Sequence, residues 1–145
     1  MVARPLGAAR FATVIETLAG DIEGLSVQGY KGTDSDGWAQ NQRLNTGDAT
    51  AHLEFALWLG SVVSRDATWD IHAAEVRFVH RYNPDTDAES QAQVQAAAYH
   101  IATFLDEWAG LDGSRVLDLP SFEVELLGPD WFGVTVPFQL CLIRS

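Results

Sequence analysis

The segment from Phe122 onward constrains this chain most. Phe122-Glu123-Val124-Glu125-Leu126-Leu127 reads as a strand, Gly128-Pro129-Asp130 as a turn, and Trp131 to Ile143 as a second strand running almost to the terminus. In that last strand Val134, Val136, Phe138, Leu140 and Leu142 alternate with Gly133, Thr135, Pro137, Gln139 and Cys141, the period of a sheet with one buried face. A terminus held in such a strand belongs to the sheet's structure and is no loose tail. Pro137 has no ladder donor, so the strand is expected to lie at an edge, or to bulge, near that point.

Upstream the periodicity alternates between helix and strand. Phe11, Val14, Ile15, Leu18 and Ile22 recur at spacings of three and four, which predicts an amphipathic helix over Ala8 to Ile22. Gly24 is placed to close it in a left-handed conformation, with Leu25 to Tyr30 a short extended segment. Thr50 to Val63 alternates like a strand, with Leu53, Phe55, Leu57, Leu59 and Val63 on one side. Trp69 to Tyr82 follows after a short connection, so the two form an antiparallel hairpin. Trp58 and Trp69 flank that hairpin and suit the core. Asn83-Pro84-Asp85 breaks the pattern. Thr86 and Glu89 have capping-box spacing, and Val94, Ala98, Ile101, Leu105 and Trp108 then form one stripe of a long helix. Arg115 to Leu119 is a further extended approach. The expected fold is α+β, a mixed or antiparallel sheet of about five strands with an N-terminal helix and one long helix packed on it.

The 145 residues fit one domain, 1–145, with a long loop at 31–48. That loop holds Gly32, Gly37 and Gly47 among Asp34, Asp36, Asn41, Asn45 and Asp48. Trp38 sits in its middle, an aromatic residue that needs a partner within the fold or on another subunit. The lone cysteine, Cys141, lies in the last apolar strand and is expected to be a buried hydrophobe. No apolar run reaches membrane-spanning length, and the first residues lack the pattern of a signal peptide. This points to a cytoplasmic protein, unless it is packaged into a larger particle.

A net charge of −11 opposes sequence-independent nucleic-acid binding, which draws on Lys and Arg. The same sign suits a channel through which DNA passes without adhering. Candidate chemistry fails on spacing. His72 and His80 share a strand face but lie ~27 Å apart at a strand's rise per residue, too far for one metal. His100 has no ligand partner a helical turn away. Asp34-Ser35-Asp36-Gly37 lacks the distal glutamate of a calcium loop and reads as a turn. Ser61, Ser64 and Ser114 stand in no nucleophile-elbow pattern, and no phosphate loop is present. Glu123 and Glu125 share a strand face about 7 Å apart, as a solvated face or one awaiting basic partners. The expectation is a non-enzymatic protein without cofactor or metal.

The order helix, strands, antiparallel hairpin, long Ala-rich helix and two closing strands resembles the tail terminator (tail-tube-capping neck) proteins of long-tailed bacteriophages and gene transfer particles. The residues that carry the likeness are Phe11, Val14, Ile15 and Leu18 of the first helix. They are joined by Phe78-Val79-His80-Arg81-Tyr82 before the polar break, and by the closing strands. The resemblance implies a homohexameric ring that caps the tail tube, stops its elongation and meets the head connector or stopper protein. DNA then passes through the lumen unbound. Localisation would be the virion, with the host cytoplasm before assembly. Exposed strand edges and the 31–48 loop are the natural contact elements. Trp38, Arg43, Trp131 and Phe132 are the candidate contact residues, chosen on loop position and side-chain type. The alternatives are another head–tail connector, or a small acidic ligand-binding or enzymatic domain with Trp58, Trp69, His72 and His80 around a pocket.

Overall fold

A computed structural model describes residues 8–32, 52–65, 68–110, 113–117 and 120–143. Two α-helices and six strands are found among them: α1 (Ala8–Glu23), β1 (Lys31–Gly32), β2 (Glu54–Arg65), β3 (Trp69–Arg81), α2 (Asp87–Glu107), β4 (Arg115–Leu117), β5 (Glu123–Leu126) and β6 (Trp131–Ile143). The sheet runs β1-β2-β3-β6-β4, and β5 also pairs with β6. Only β1 is parallel to its neighbour; every other pairing is antiparallel. The expected α+β architecture is therefore present, with a mixed sheet.

The apolar alternation decides which sheet face is buried. Phe55, Leu57, Ala74, Val76, Phe78, Val134, Val136, Phe138, Leu140 and Leu142 all point to one side and are buried. Val14, Ile15, Leu18 and Ile22 of α1 and Val94, Ala98, Ile101 and Leu105 of α2 close over them in one cluster. Each Val, Leu, Ile or Phe among them contributes on the order of 1.5–3 kcal/mol by leaving water. Across this layer Trp108 Nε1 donates to Asp21 Oδ2 at 2.8 Å, tying the carboxyl ends of the two helices together.

Several local expectations fail for identifiable reasons. Leu25 to Tyr30 is a 3₁₀ turn, Ser26–Gln28, and not an extended segment. Gly29, and not Gly24, takes the left-handed conformation there, with φ +93°. The chain must reverse one turn later because Leu25 and Gln28 still bond back to Ile22 and Leu25. Thr86 makes no side-chain cap on α2; the capped element is the 3₁₀ turn Pro84–Thr86 before it, where Asn83 accepts from Asp85 N–H at 3.0 Å. Strand β2 starts at Glu54, two register shifts break its alternation after Leu59, and Val63 is exposed instead of facing the core.

Strand β6 is where the proline expectation resolves. Its pairing with β3 is continuous from Trp69↔Ile143 to Arg81↔Trp131, without a bulge. On its other side β5 pairs with residues 132–135 and β4 with residues 139–141. Pro137 falls in the gap between those two partners, where no donor is required.

Tyr30 anchors the first connection to the helix layer. Its hydroxyl donates to the Ala97 carbonyl at 3.0 Å, and its ring meets Phe78 edge-on at 5.7 Å. Burial pushes its phenol above the ordinary 10.0. A raised folded pKa is a contribution intact below the unfolded value and lost as pH rises past it. Tyr30→Phe is expected to cost about 1 kcal/mol near neutrality. It is also expected to remove part of the stability loss seen toward pH ~11, where the unfolded phenol ionises. Urea unfolding at both pH values checks it.

Candidate functional site

Three surfaces bear on function. The first is a groove of about 660 Å³ at the end of the sheet where β3 and β6 meet the start of α2. Arg81, Asn83, Glu89, Gln93, Asp130 and Trp131 are among its lining residues. Cross-strand pairing sets Arg81 beside Trp131. Ser90, though buried, is spoken for: it accepts from Asn83 N–H at 3.1 Å and donates to the Asn83 carbonyl at 3.4 Å. The Tyr82 hydroxyl donates to Asp87 Oδ1 at 2.6 Å, which holds the carboxyl below its usual range and raises the phenol. The groove is polar and its hydrogen bonds are largely internal to the turn that builds it.

The second is a histidine pair that strand spacing alone could not reveal. His80 does share its face with His72, but its partner is His52, entering from the turn before β2. The rings meet at 4.3 Å and 77°. Arg81 N–H donates to His52 Nδ1 at 3.0 Å, and His80 Nδ1 donates to the Arg81 carbonyl at 2.9 Å. Burial lowers both; His52, with His80 and Arg81 adding repulsion, is brought down to about 4. Leu53 is held with φ +62° beside it and donates its N–H to the Val79 carbonyl at 2.7 Å. The arrangement is a neutral clasp between β2 and β3. No group of three or more His, Cys, Asp or Glu able to hold a metal occurs among the described residues.

The third is the sheet face away from the helices. Ile71, Ala73, Thr135 and Gln139 are half-buried there and Pro137 is exposed. Its central charges cancel, because Arg77 donates through Nε and Nη2 to both oxygens of Glu75 at 3.1 Å. Among the described residues no helix covers this side. Glu123 and Glu125 border it, exposed on β5. Cys141 also faces this way but is buried, which raises its thiol pKa.

The candidate contact residues separate accordingly. Trp131 is half-buried at the groove. Phe132 points into the core, where it is buried and meets the Tyr82 ring at 4.8 Å; the β-period turns it away from the surface that Trp131 faces. Trp38 and Arg43 lie outside the described residues, as does most of the 31–48 loop, of which Lys31–Gly32 forms β1. Of the alternative pocket around Trp58, Trp69, His72 and His80, β3 sets His72 and His80 on one face, eight residues apart, and Trp69 on the other. No described helix is long and apolar enough to cross a membrane. Scans against protein-family models and curated proteins find no match to the chain.

Proposed function

We propose that this protein is a structural subunit of a ring, six copies in the simplest case, that caps a phage-type tail tube and joins it to the head connector. The observation that carries the reading is the sheet face opposite the helices, presenting Ile71, Ala73, Thr135, Pro137 and Gln139 around a neutralised Glu75–Arg77 pair. An antiparallel sheet left to water ordinarily alternates to charged side chains on its wet face. Its centre, where the one ion pair is closed on itself among half-buried side chains, is suited to contact with protein. The acidic remainder suits a lumen that must not retain DNA. Such a protein acts by position and has no turnover of its own. Its place would be the neck of the particle, after assembly in the host cytoplasm.

The test is native mass together with tube length. Rings of roughly 95 kDa, six copies of the 15.9 kDa chain, are expected on closure of a heterologous contact. Tail-tube subunits polymerised with the protein present should stop at shorter lengths than without it. Unchanged tube lengths at saturating protein would refute the capping role. A second reading, a ligand-binding domain, is favoured by one observation, the 660 Å³ groove with Trp131 at its wall. Saturable quenching of tryptophan emission by a small ligand, lost in Trp131→Ala, would move the assignment there.

A further inference from the structure

Strand β5 borders the sheet and carries two patterns of the same period, one in its backbone and one in its side chains. Its register with β6 runs from Glu123↔Thr135 to Leu126↔Phe132, and the Leu127 N–H closes the hairpin on the Trp131 carbonyl at 2.8 Å. Bonding groups alternate along an antiparallel pair. Glu123 and Glu125 therefore bond toward β6, while the N–H and C=O of Val124 and Leu126 point away from it. Among the described residues no strand but β6 pairs with β5, and no described hydrogen bond reaches those outward groups. Neither proline nor bulge guards this edge.

The side chains sort by face. Glu123 and Glu125 are exposed on the side away from the helices, and neither makes an ion pair among the described residues. Glu125 stands across the ladder from Gly133, and a hollow of about 90 Å³ lies beside both carboxylates. Arg77 also lines that hollow, but its guanidinium is closed on Glu75. On the helix side Leu126 is 55% exposed, and the exposed Tyr99 ring meets Phe122 at 4.9 Å.

We propose that β5 takes an extended segment of another protein as its next antiparallel strand, one with Lys or Arg at alternate positions and apolar residues between. The basic side chains lie opposite Glu123 and Glu125, at the non-hydrogen-bonded positions where side chains come closest, and reach the hollow. The apolar ones lie beside Val124 and Leu126. Backbone bonds hold such a strand, and its alternate side chains select it. Charge decides against a second copy. Pairing β5 with β5 of another copy sets the glutamates side by side, and like charges directly opposite destabilise a ladder. Nor does any stretch of this chain carry Lys or Arg at both i and i+2. The inference goes beyond the ring reading and does not depend on it.

The probe is a short labelled peptide of alternating Val and Lys, titrated against the full chain by fluorescence anisotropy. Saturable binding is expected, and its absence overturns the inference. N-methylation of the valines, whose amides face β5, should weaken binding about tenfold or more. N-methylation of the lysines, whose amides face away, should leave it within about twofold. Glu123→Lys with Glu125→Lys should turn the preference to a peptide of alternating Val and Glu, although that variant as a whole is still acidic. Hydrogen exchange on the unaltered protein needs no variant: the Val124 and Leu126 amides should slow when peptide is bound, and those of the β3–β6 ladder should not change. Equal binding of the two N-methylated peptides would mean attraction by net charge alone and overturns the inference. So does a preference for Lys that survives the charge reversal. Dimers of the free protein that the peptide dissociates would give the edge to a second copy, and overturn it too.

Discussion

Phe78→Ala is expected to remove about 3–5 kcal/mol of folding stability, a large part of the 5–15 kcal/mol available to a domain of this size. Phe78 is 1% exposed and sits on β3, between β2 and β6. Its neighbours across the strands are Phe55 and Val134, and Tyr30 meets it edge-on. Truncation therefore leaves a void walled by three strands and the first connection, none of which can close inward without breaking a ladder. Phe78→Leu, which keeps most of the volume, should cost less than half as much. Urea unfolding with a constant slope and a shifted midpoint is the expected record. A loss under 1 kcal/mol for the alanine variant would mean that the core described around Phe78 is not the one that forms.

Acid should weaken the fold through the His52–His80 clasp. Both histidines have folded pKa values below the ordinary 6.5, that of His52 at about 4. Groups so depressed contribute stability that is present above the unfolded pKa and lost as pH falls through the folded one. The window is thus pH 6.5 down to about 4. The geometry gives the same sign: a proton added to His52 Nδ1 would face the Arg81 N–H that now donates to it. His52→Asn keeps an acceptor near that position but does not titrate. It should flatten the decline of melting temperature between pH 7 and 4, while His52→Ala lowers stability throughout. A wild-type decline equal to that of His52→Asn would show the clasp to be inert. The pair is partly open to water, so its effect is smaller than that of a fully buried charge.

The elements with strong periodicity were legible in the sequence. The closing strand reads from Trp131 to Ile143 both ways, and every residue of its apolar face is buried. The α2 stripe of Val94, Ala98, Ile101, Leu105 and Trp108 is likewise buried as spaced. Where a single hydrogen bond decides the geometry, reading by pattern failed. The capping box expected of Thr86 and Glu89 is not made, because a 3₁₀ turn, Pro84–Thr86, precedes the helix and the side-chain cap falls at its start, from Asn83 to Asp85 N–H. Gly29 supplants Gly24 since the 3₁₀ turn carries the chain one step further before it reverses. The histidine pair was invisible because His52 and His80 belong to different elements and meet only through the β2–β3 register. Phe132 is in phase with Val134 and Val136 in β6, so its place in the core was legible from the alternation, whereas the groove beside Trp131 exists only through the tertiary pairing.

The divided edge of β6 has a consequence for how the protein opens. Because β4 and β5 are separate short strands with a proline at the seam, neither holds the other in place. The β5 arm can peel from β6 as a local fluctuation while the β3–β6 ladder stays shut, so this border of the sheet opens at a fraction of the global free energy. On the ring reading proposed above, such an arm would offer backbone donors and acceptors to a neighbouring subunit while the rest of the sheet stays closed.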